Sequence, residues 1–308
     1  MTDEKNSYWN MALGSSGAQR RTPNAARRGS VWVFCASLLA ANPVWAESTA
    51  AAVNQADAAV ATEPTTETES QQFARARLME MAGLLGKTER LSVSLNIAYD
   101  VVQENGQKIE FGEIRELALQ RPDRLRIMEI ASHGDRGLTL FDGERITILD
   151  GDTNVYAQAP QPGDIDASII HFVRDLQMRL PLAPLMLTKA SEELQRRIQS
   201  IDYVEHTDIL GAPAHHIAAR TASVDFQVWI ADSEQALPMR IVVTYPSDEG
   251  QPQFRADFSD WNLIPRFDKG TFEFTPPAAA KRIVFAAQLP PAPASPLPQG
   301  SRPEGAKP

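Results

Sequence analysis

Apolar and polar residues alternate strictly through Val93, Leu95, Ile97, Tyr99 and Val101, with Ser92, Ser94, Asn96, Ala98 and Asp100 between them. A period of two puts one set on each face of a strand, so one face is buried and the other wet, as in an antiparallel sheet. Asn105-Gly106 then predicts a tight hairpin, because both residues tolerate positive φ. Ile109, Phe111 and Ile114 carry the return strand. Pro122-Asp123, Asp142-Gly143 and Asp150-Gly151 separate further short strands at Leu125–Ile130, Leu138–Phe141, Arg145–Leu149 and Asn154–Ala157, in meander order.

Two segments depart from this period. Before the first strand, Phe73, Leu78, Met81, Ala82 and Leu85 recur at three- and four-residue spacing, which predicts a leading helix with Gly86 as its stop. Between Asp164 and Ile198 the apolar residues Ile165, Ile169, Phe172, Val173 and Leu176 again follow helical spacing, and Pro181 and Pro184 cut the region into short helices. Ser191-Glu192-Glu193-Leu194 offers a start for the last of them. Strands resume at Ile201–Ile209, Ala214–Arg220, Asp225–Ala231, Met239–Tyr245 and Gln253–Trp261. This amounts to an α+β fold of about eleven antiparallel strands in one large curved sheet, with a helical insert. No βαβ alternation appears, so a doubly wound parallel sheet is excluded. The concave face of the sheet is the one place for the insert to bury its apolar side.

The ends of the chain read differently. Arg20, Arg21, Arg27 and Arg28 precede an uncharged apolar run from Val31 to Ala41, then Pro43 and Val44-Trp45-Ala46. That order is a secretory signal peptide over residues 1–46, with cleavage between Ala46 and Glu47. The run is shorter than the roughly 20 residues that span a bilayer, so no transmembrane span is expected in the mature chain, and the protein is expected in the periplasm. Gly29-Ser30-Val31 lacks the aromatic residue of a twin-arginine signal, which favours the general secretory route. Phe34 before Cys35 does not fit a lipidation site. Met11 offers an alternative start. Residues 47–70, rich in Ala, Thr and Glu, read as a disordered linker. The folded unit is expected over 71–283, followed by a Pro-rich disordered tail over 284–308.

Composition narrows the chemistry. Cys35 is the single cysteine and leaves with the signal, so the mature chain has no disulfide, no Cys–zinc site and no thiol nucleophile. Residues 1–46 hold five of the 30 basic and two of the 39 acidic side chains, which leaves 25 against 37, a net charge of −12. Such a surface repels nucleic acid. There is no Gly-x-Ser-x-Gly elbow and no glycine-rich phosphate loop, so no catalytic residue and no cofactor are assigned. His215-His216, with Asp225 nearby, is the most tempting catalytic group, but neighbours on a strand point to opposite faces. His133, His171 and His206 lack metal-type spacing, and Asp150-Gly151-Asp152 lacks the ligand alternation of a calcium loop. Arg121, Arg124 and Arg126 read as a solvated turn or as a docking patch for an anionic head group.

Several stretches, taken together, resemble a known family. They are Asn105-Gly106-Gln107-Lys108, Arg121-Pro122-Asp123-Arg124-Leu125-Arg126, Asn154-Val155-Tyr156-Ala157, His215-His216-Ile217, Asp225-Phe226-Gln227-Val228-Trp229-Ile230, Leu237-Pro238-Met239-Arg240, Ser259-Asp260-Trp261 and Phe272-Glu273-Phe274-Thr275-Pro276-Pro277. The chain resembles, from about Phe73 to Ala279, a bacterial family of predicted periplasmic proteins known as a domain of unknown function. That family is similar to the LolA-like lipoprotein-carrier superfamily. The resemblance implies an open half-barrel closed on its concave side by short helices, with a hydrophobic cavity for acyl chains. The cavity residues expected on this basis are Val93, Leu95, Ile97, Tyr99, Phe111, Ile169, Phe172, Leu185 and Met186. The expected role is non-enzymatic binding or carriage of a lipid or acylated ligand. The alternative is a sensor or interaction domain with a closed core and an envelope protein partner. The apolar alternation fits both.

Overall fold

The structure, a computed structural model, describes residues 67–288 except residue 179. The expected signal peptide, its cleavage between Ala46 and Glu47, nearly all of the expected linker and the tail beyond residue 288 lie outside the described residues. No helix among the described residues is long and apolar enough to cross a membrane.

The chain opens with α1, Glu69–Lys87. Thr68 caps it: its hydroxyl accepts from Gln71 N while the Gln71 side chain accepts from Thr68 N. Thr-x-x-Gln is a capping box, a signal already present in the sequence across the boundary between the expected linker and the expected folded unit. Ala74, Leu78, Met81, Ala82 and Leu85 form the buried stripe of α1. Gly86 does not stop the helix. It lies inside it, and the C-cap is Thr88 in extended conformation. Its missing side chain has another use, because a Cβ there would stand 2.7 Å from the carbonyl oxygen of Thr188.

Strands β1 (Arg90–Val102) and β2 (Lys108–Gln120) form a long hairpin in register from Arg90–Gln120 to Val102–Lys108. Gly106, at φ 81°, closes its turn. The meander continues through β3 (Arg124–Ala131), β4 (Arg136–Phe141), β5 (Arg145–Asp150) and β6 (Val155–Pro160). The insert follows: α2 (Ile165–Ile170), a π-helical turn (His171–Asp175), a 3-10 turn (Ala183–Met186) and α3 (Ala190–Arg197). A second meander, β7 (Ser200–Ile209), β8 (Ala212–Arg220), β9 (Asp225–Ala231), β10 (Pro238–Thr244) and β11 (Gln253–Asn262), ends against β1. With a short last strand, β12 (Lys281–Ile283), the sheet order is β12-β6-β5-β4-β3-β2-β1-β11-β10-β9-β8-β7.

That order explains why the insert covers one face. The first meander ends at one side of the sheet and the second begins at the opposite edge, so residues 161–199 must cross the sheet between them. Crossing as short amphipathic helices buries their apolar sides on the concave face and leaves an open α+β half-barrel. The core joins α1, the insert and the inner face of both meanders.

The twelfth strand was not expected. β12 (Lys281–Ile283) lies parallel to β6, pairing Arg282 with Tyr156. All three of its residues are exposed, so no alternation marks it in the sequence. Phe285, just past it, is fully buried.

Candidate functional site

The inner face of the half-barrel carries an apolar groove. Leu91, Val93, Leu95 and Ile97 of β1 form its floor, flanked by Leu117 of β2, Ile127 of β3 and Phe258 of β11. Register brings these together: Val93 lies opposite Leu117, Leu117 opposite Ile127, and Leu95 opposite Phe258. Trp261 also lines the groove, although its odd number should turn it away from Phe258. A bulge supplies the extra step. Asp260 is left-handed at φ 55°, and residues 259–262 span only residues 92–94 of β1. The two rings stack at 5.6 Å, and the indole N–H donates to the Pro238 carbonyl at 3.0 Å.

The roof is the insert, where Leu180, Pro181, Leu182, Leu185 and Met186 face the floor. Its backbone is irregular. Gln177 and Leu182 hold φ of 54° and 67° without being glycine, next to a π-helical turn. Such conformations persist where surrounding contacts impose them, and they gather at segments that move or bind. Arg121 supplies one such contact. Its guanidinium donates to the carbonyls of Met186 at 2.8 Å, Leu85 at 3.3 Å and Thr88 at 3.2 Å. Burial pulls its pKa below the usual arginine value, with Asp166 and Asp164 opposing that pull. Asp166 accepts from Thr188 N at 3.0 Å, which ties the roof's end to α2. The void left between roof and floor is about 50 Å³. Pockets that hold drug-sized ligands measure about 300–1,000 Å³, so the space between roof and floor is too small for one in this arrangement.

One end of the groove is charged. Arg115 lines it directly. The Arg115 guanidinium lies 2.5 Å from Glu113 and its Nε 3.6 Å from Glu129 Oε2. Glu129 lies flat over Gly137 of β4, where a Cβ would stand 2.6 Å from Oε1 and 2.7 Å from Cγ. Burial pushes the Glu129 carboxyl above its ordinary value; Arg115 opposes this, while Glu113 and Asp150 add to it. Asp150 is engaged by its own turn, accepting from Asp152 N, Thr153 N and the Thr153 hydroxyl. Burial, then Glu113, raises Tyr99.

The nine expected cavity residues fall into three places. Val93, Leu95, Ile97, Leu185 and Met186 line the groove. Tyr99 and Phe111 stack at 6.1 Å beyond its charged end, with Phe111 39% exposed. Ile169 and Phe172 are buried in the core without lining the void. Among the residues that sequence reasoning missed are Leu117, Ile127, Leu182, Phe258 and Trp261 of the lining and the charged Glu113, Arg115 and Glu129. For Arg115 a signal existed, since it shares its parity along β2 with Leu117 and Leu119.

The histidines separate as strand geometry requires. His215 contacts Tyr203 Oη at 3.1 Å and Asp232 at 3.3 Å, and His206 reaches the same carboxylate at 2.9 Å. Phe73 of α1 packs edge-on against Tyr203 and His215. His216 stacks on Trp229 at 4.0 Å on the other face. Asp225 pairs with Arg220, not with a histidine. The arginine cluster also divides. Arg121 is an inward anchor, whereas Arg124 bonds Asp123 and the Asp142 carbonyl at the surface. Among the described residues, no three His, Cys, Asp or Glu side chains have metal-holding geometry.

Residues 74–286 match the model of the family described as predicted periplasmic protein (DUF2092). The chain belongs to this periplasmic family. A search of curated proteins finds no match. Solved structures similar to this chain include an uncharacterized conserved protein from Thermus thermophilus, at 7% identity and TM-score 0.41, covering 68% of this chain and 98% of that one. The lipoprotein LppX from Mycobacterium tuberculosis is similar at 12% identity and TM-score 0.42, covering 65% and 100%. A LolA superfamily protein from Nitrosomonas europaea is similar at 10% identity and TM-score 0.33, covering 65% and 97%.

Proposed function

We propose that this protein is a non-enzymatic periplasmic binder or carrier of a lipid or acylated ligand, whose chain enters the groove between the sheet and the insert. The observation that carries this reading is the continuous apolar floor from Leu91 to Ile97 beneath a roof of irregular backbone. Each buried methylene contributes about 0.8 kcal/mol, so an acyl chain needs few polar contacts to bind. Entry requires the roof to lift, because the void of about 50 Å³ is too small for a chain. Leu182, Leu185 and Met186 would exchange contacts with the floor for contacts with the ligand, and Met adapts readily to varied apolar shapes.

The small void favours a second reading, a closed-core interaction domain that serves an envelope protein partner. Native mass spectrometry with lipid extraction, on protein purified from its own envelope without detergent, separates the two. A stoichiometric lipid or acylated species supports the binder. A clean apo mass that candidate lipids do not shift supports the interaction domain.

A further inference from the structure

The charged end of the groove has a composition that the apolar floor does not call for. Glu113 and Arg115 stand on β2 and Glu129 on β3, all on the inner face, since Arg115 lies opposite both Leu95 and Glu129. The side chains of Glu113, Arg115 and Glu129 are 12%, 16% and 18% exposed. Arg115 Nε is buried and donates to no acceptor among the described residues, although the side chain borders the void. Two carboxylates thus share one guanidinium, and Asp150, opposite Gly137 in register, adds a third negative charge nearby. A buried negative charge without a matching cation is costly, so Glu113 and Glu129 with Arg115 are one positive charge short even before Asp150 is counted.

We propose that Glu113, Arg115 and Glu129 form the head-group end of the groove's ligand site, and that they select an amphiphile carrying a protonated amine on its apolar chain. The proposal rests on the reading that the groove holds such a chain. An ammonium seated between Glu113 and Glu129 balances the two carboxylates with two cations. It also donates to lone pairs that Arg115 leaves free. A carboxylate or phosphate head approaching Arg115 instead meets two acidic groups within 2.5 and 3.6 Å of the same guanidinium. A hydroxyl head forms hydrogen bonds but leaves the charge uncompensated.

Isothermal titration of the purified mature chain with dodecylammonium, dodecanol and dodecanoate at neutral pH tests this. Dodecylammonium is expected to bind about tenfold or more tightly than dodecanol, the worth of one charge-assisted hydrogen bond, with dodecanoate weakest. Glu113→Gln and Glu129→Gln are each expected to remove that advantage, bringing dodecylammonium binding down to the level of dodecanol in the same variant. Glu192→Gln, which removes an exposed carboxylate on α3, controls for surface attraction and is expected to change nothing. Lowering the pH toward protonation of Glu129, which faces Arg115, Glu113 and Asp150, with Tyr99 also close to Glu113, is expected to weaken amine binding relative to dodecanol. Equal binding of the three probes, or tighter binding of dodecanoate, overturns the amine proposal and leaves the groove reading standing. Binding of none overturns both. If a Gln variant fails to fold, the ranking of the three probes on the unaltered chain decides.

Discussion

Arg121 donates to the backbone carbonyl of Met186 at 2.8 Å, so a side chain beside the β2–β3 turn holds down the end of the groove's roof. The same guanidinium bonds the last turn of α1 through Leu85 and the C-cap carbonyl of Thr88. One planar, always charged group therefore joins α1, the sheet and the insert.

Replacing Arg121 tests this junction. Arg121→Ala is expected to cost about 1.5–3 kcal/mol in urea unfolding, the range for a hydrogen bond to a charged group. Arg121→Lys is expected to recover little, because an ammonium cannot match the fork that reaches three carbonyls. Hydrogen exchange at the Leu185 amide is expected to speed up in both variants. Unchanged exchange there would show that the roof is held by its apolar contacts alone.

Gly86 sets how closely the roof approaches α1. Alanine is ordinarily better than glycine inside a helix by about 0.5–1 kcal/mol. Here its Cβ would meet the Thr188 carbonyl at 2.7 Å, a backbone atom that cannot turn aside. Gly86→Ala is therefore expected to destabilise by about 1–3 kcal/mol. A rise in melting temperature would mean that the roof shifts without cost.

Gly137 and Glu129 are expected to be coupled. Gly137→Ala crowds the Glu129 side chain at Oε1 and Cγ together, with an expected loss of about 1 kcal/mol. In a Glu129→Ala background the loss is expected to vanish, since the obstructed atoms are gone. A double-mutant cycle reads the difference, and simple additivity would contradict the packing described.

The pH dependence of stability has a definite sign at Glu129. Its folded carboxyl titrates above the ordinary value because burial disfavours the charge. The folded chain thus holds its proton more tightly than the unfolded chain does. The associated stability is present below the ordinary carboxylate range and is lost as pH rises through the raised value. Glu129→Gln, which mimics the protonated form, is expected to be more stable than the unaltered chain at neutral pH and equal to it in acid. Thermal melts across pH check this, and a variant less stable at neutral pH would show that the Arg115–Glu129 attraction outweighs burial.

Much of this architecture was legible from local pattern. The alternation from Val93 to Val101 marked β1 and its inner face, Asn105-Gly106 marked the hairpin, and the spacing of Leu78, Met81 and Leu85 marked α1. These signals survive in the sequence because the pleat of a strand and the pitch of a helix are steric properties of neighbouring residues, repeated wherever one side is buried. Val93, Leu95 and Ile97 were placed on one face for that reason alone. β12 was not legible, since three exposed residues carry no period and their pairing with β6 depends on residues far away in the chain.

The charged end of the groove and its narrowness belong to the tertiary structure. Glu113, Arg115 and Glu129 meet because the β2–β3 register sets Arg115 opposite Glu129, and the β1–β2 register sets them at the end of the floor, Arg115 beside Leu95 and Glu113 beside Ile97. A slip of one residue in either register would move side chains to the opposite face. Trp261 turns inward through a bulge at Asp260, and Arg121 turns inward because α1 and the roof offer it carbonyls. Local sequence determined which residues face inward along each element. How those faces meet, and how little space they leave, was decided by register and close packing among residues distant in sequence, where a difference of one methyl group changes the fit.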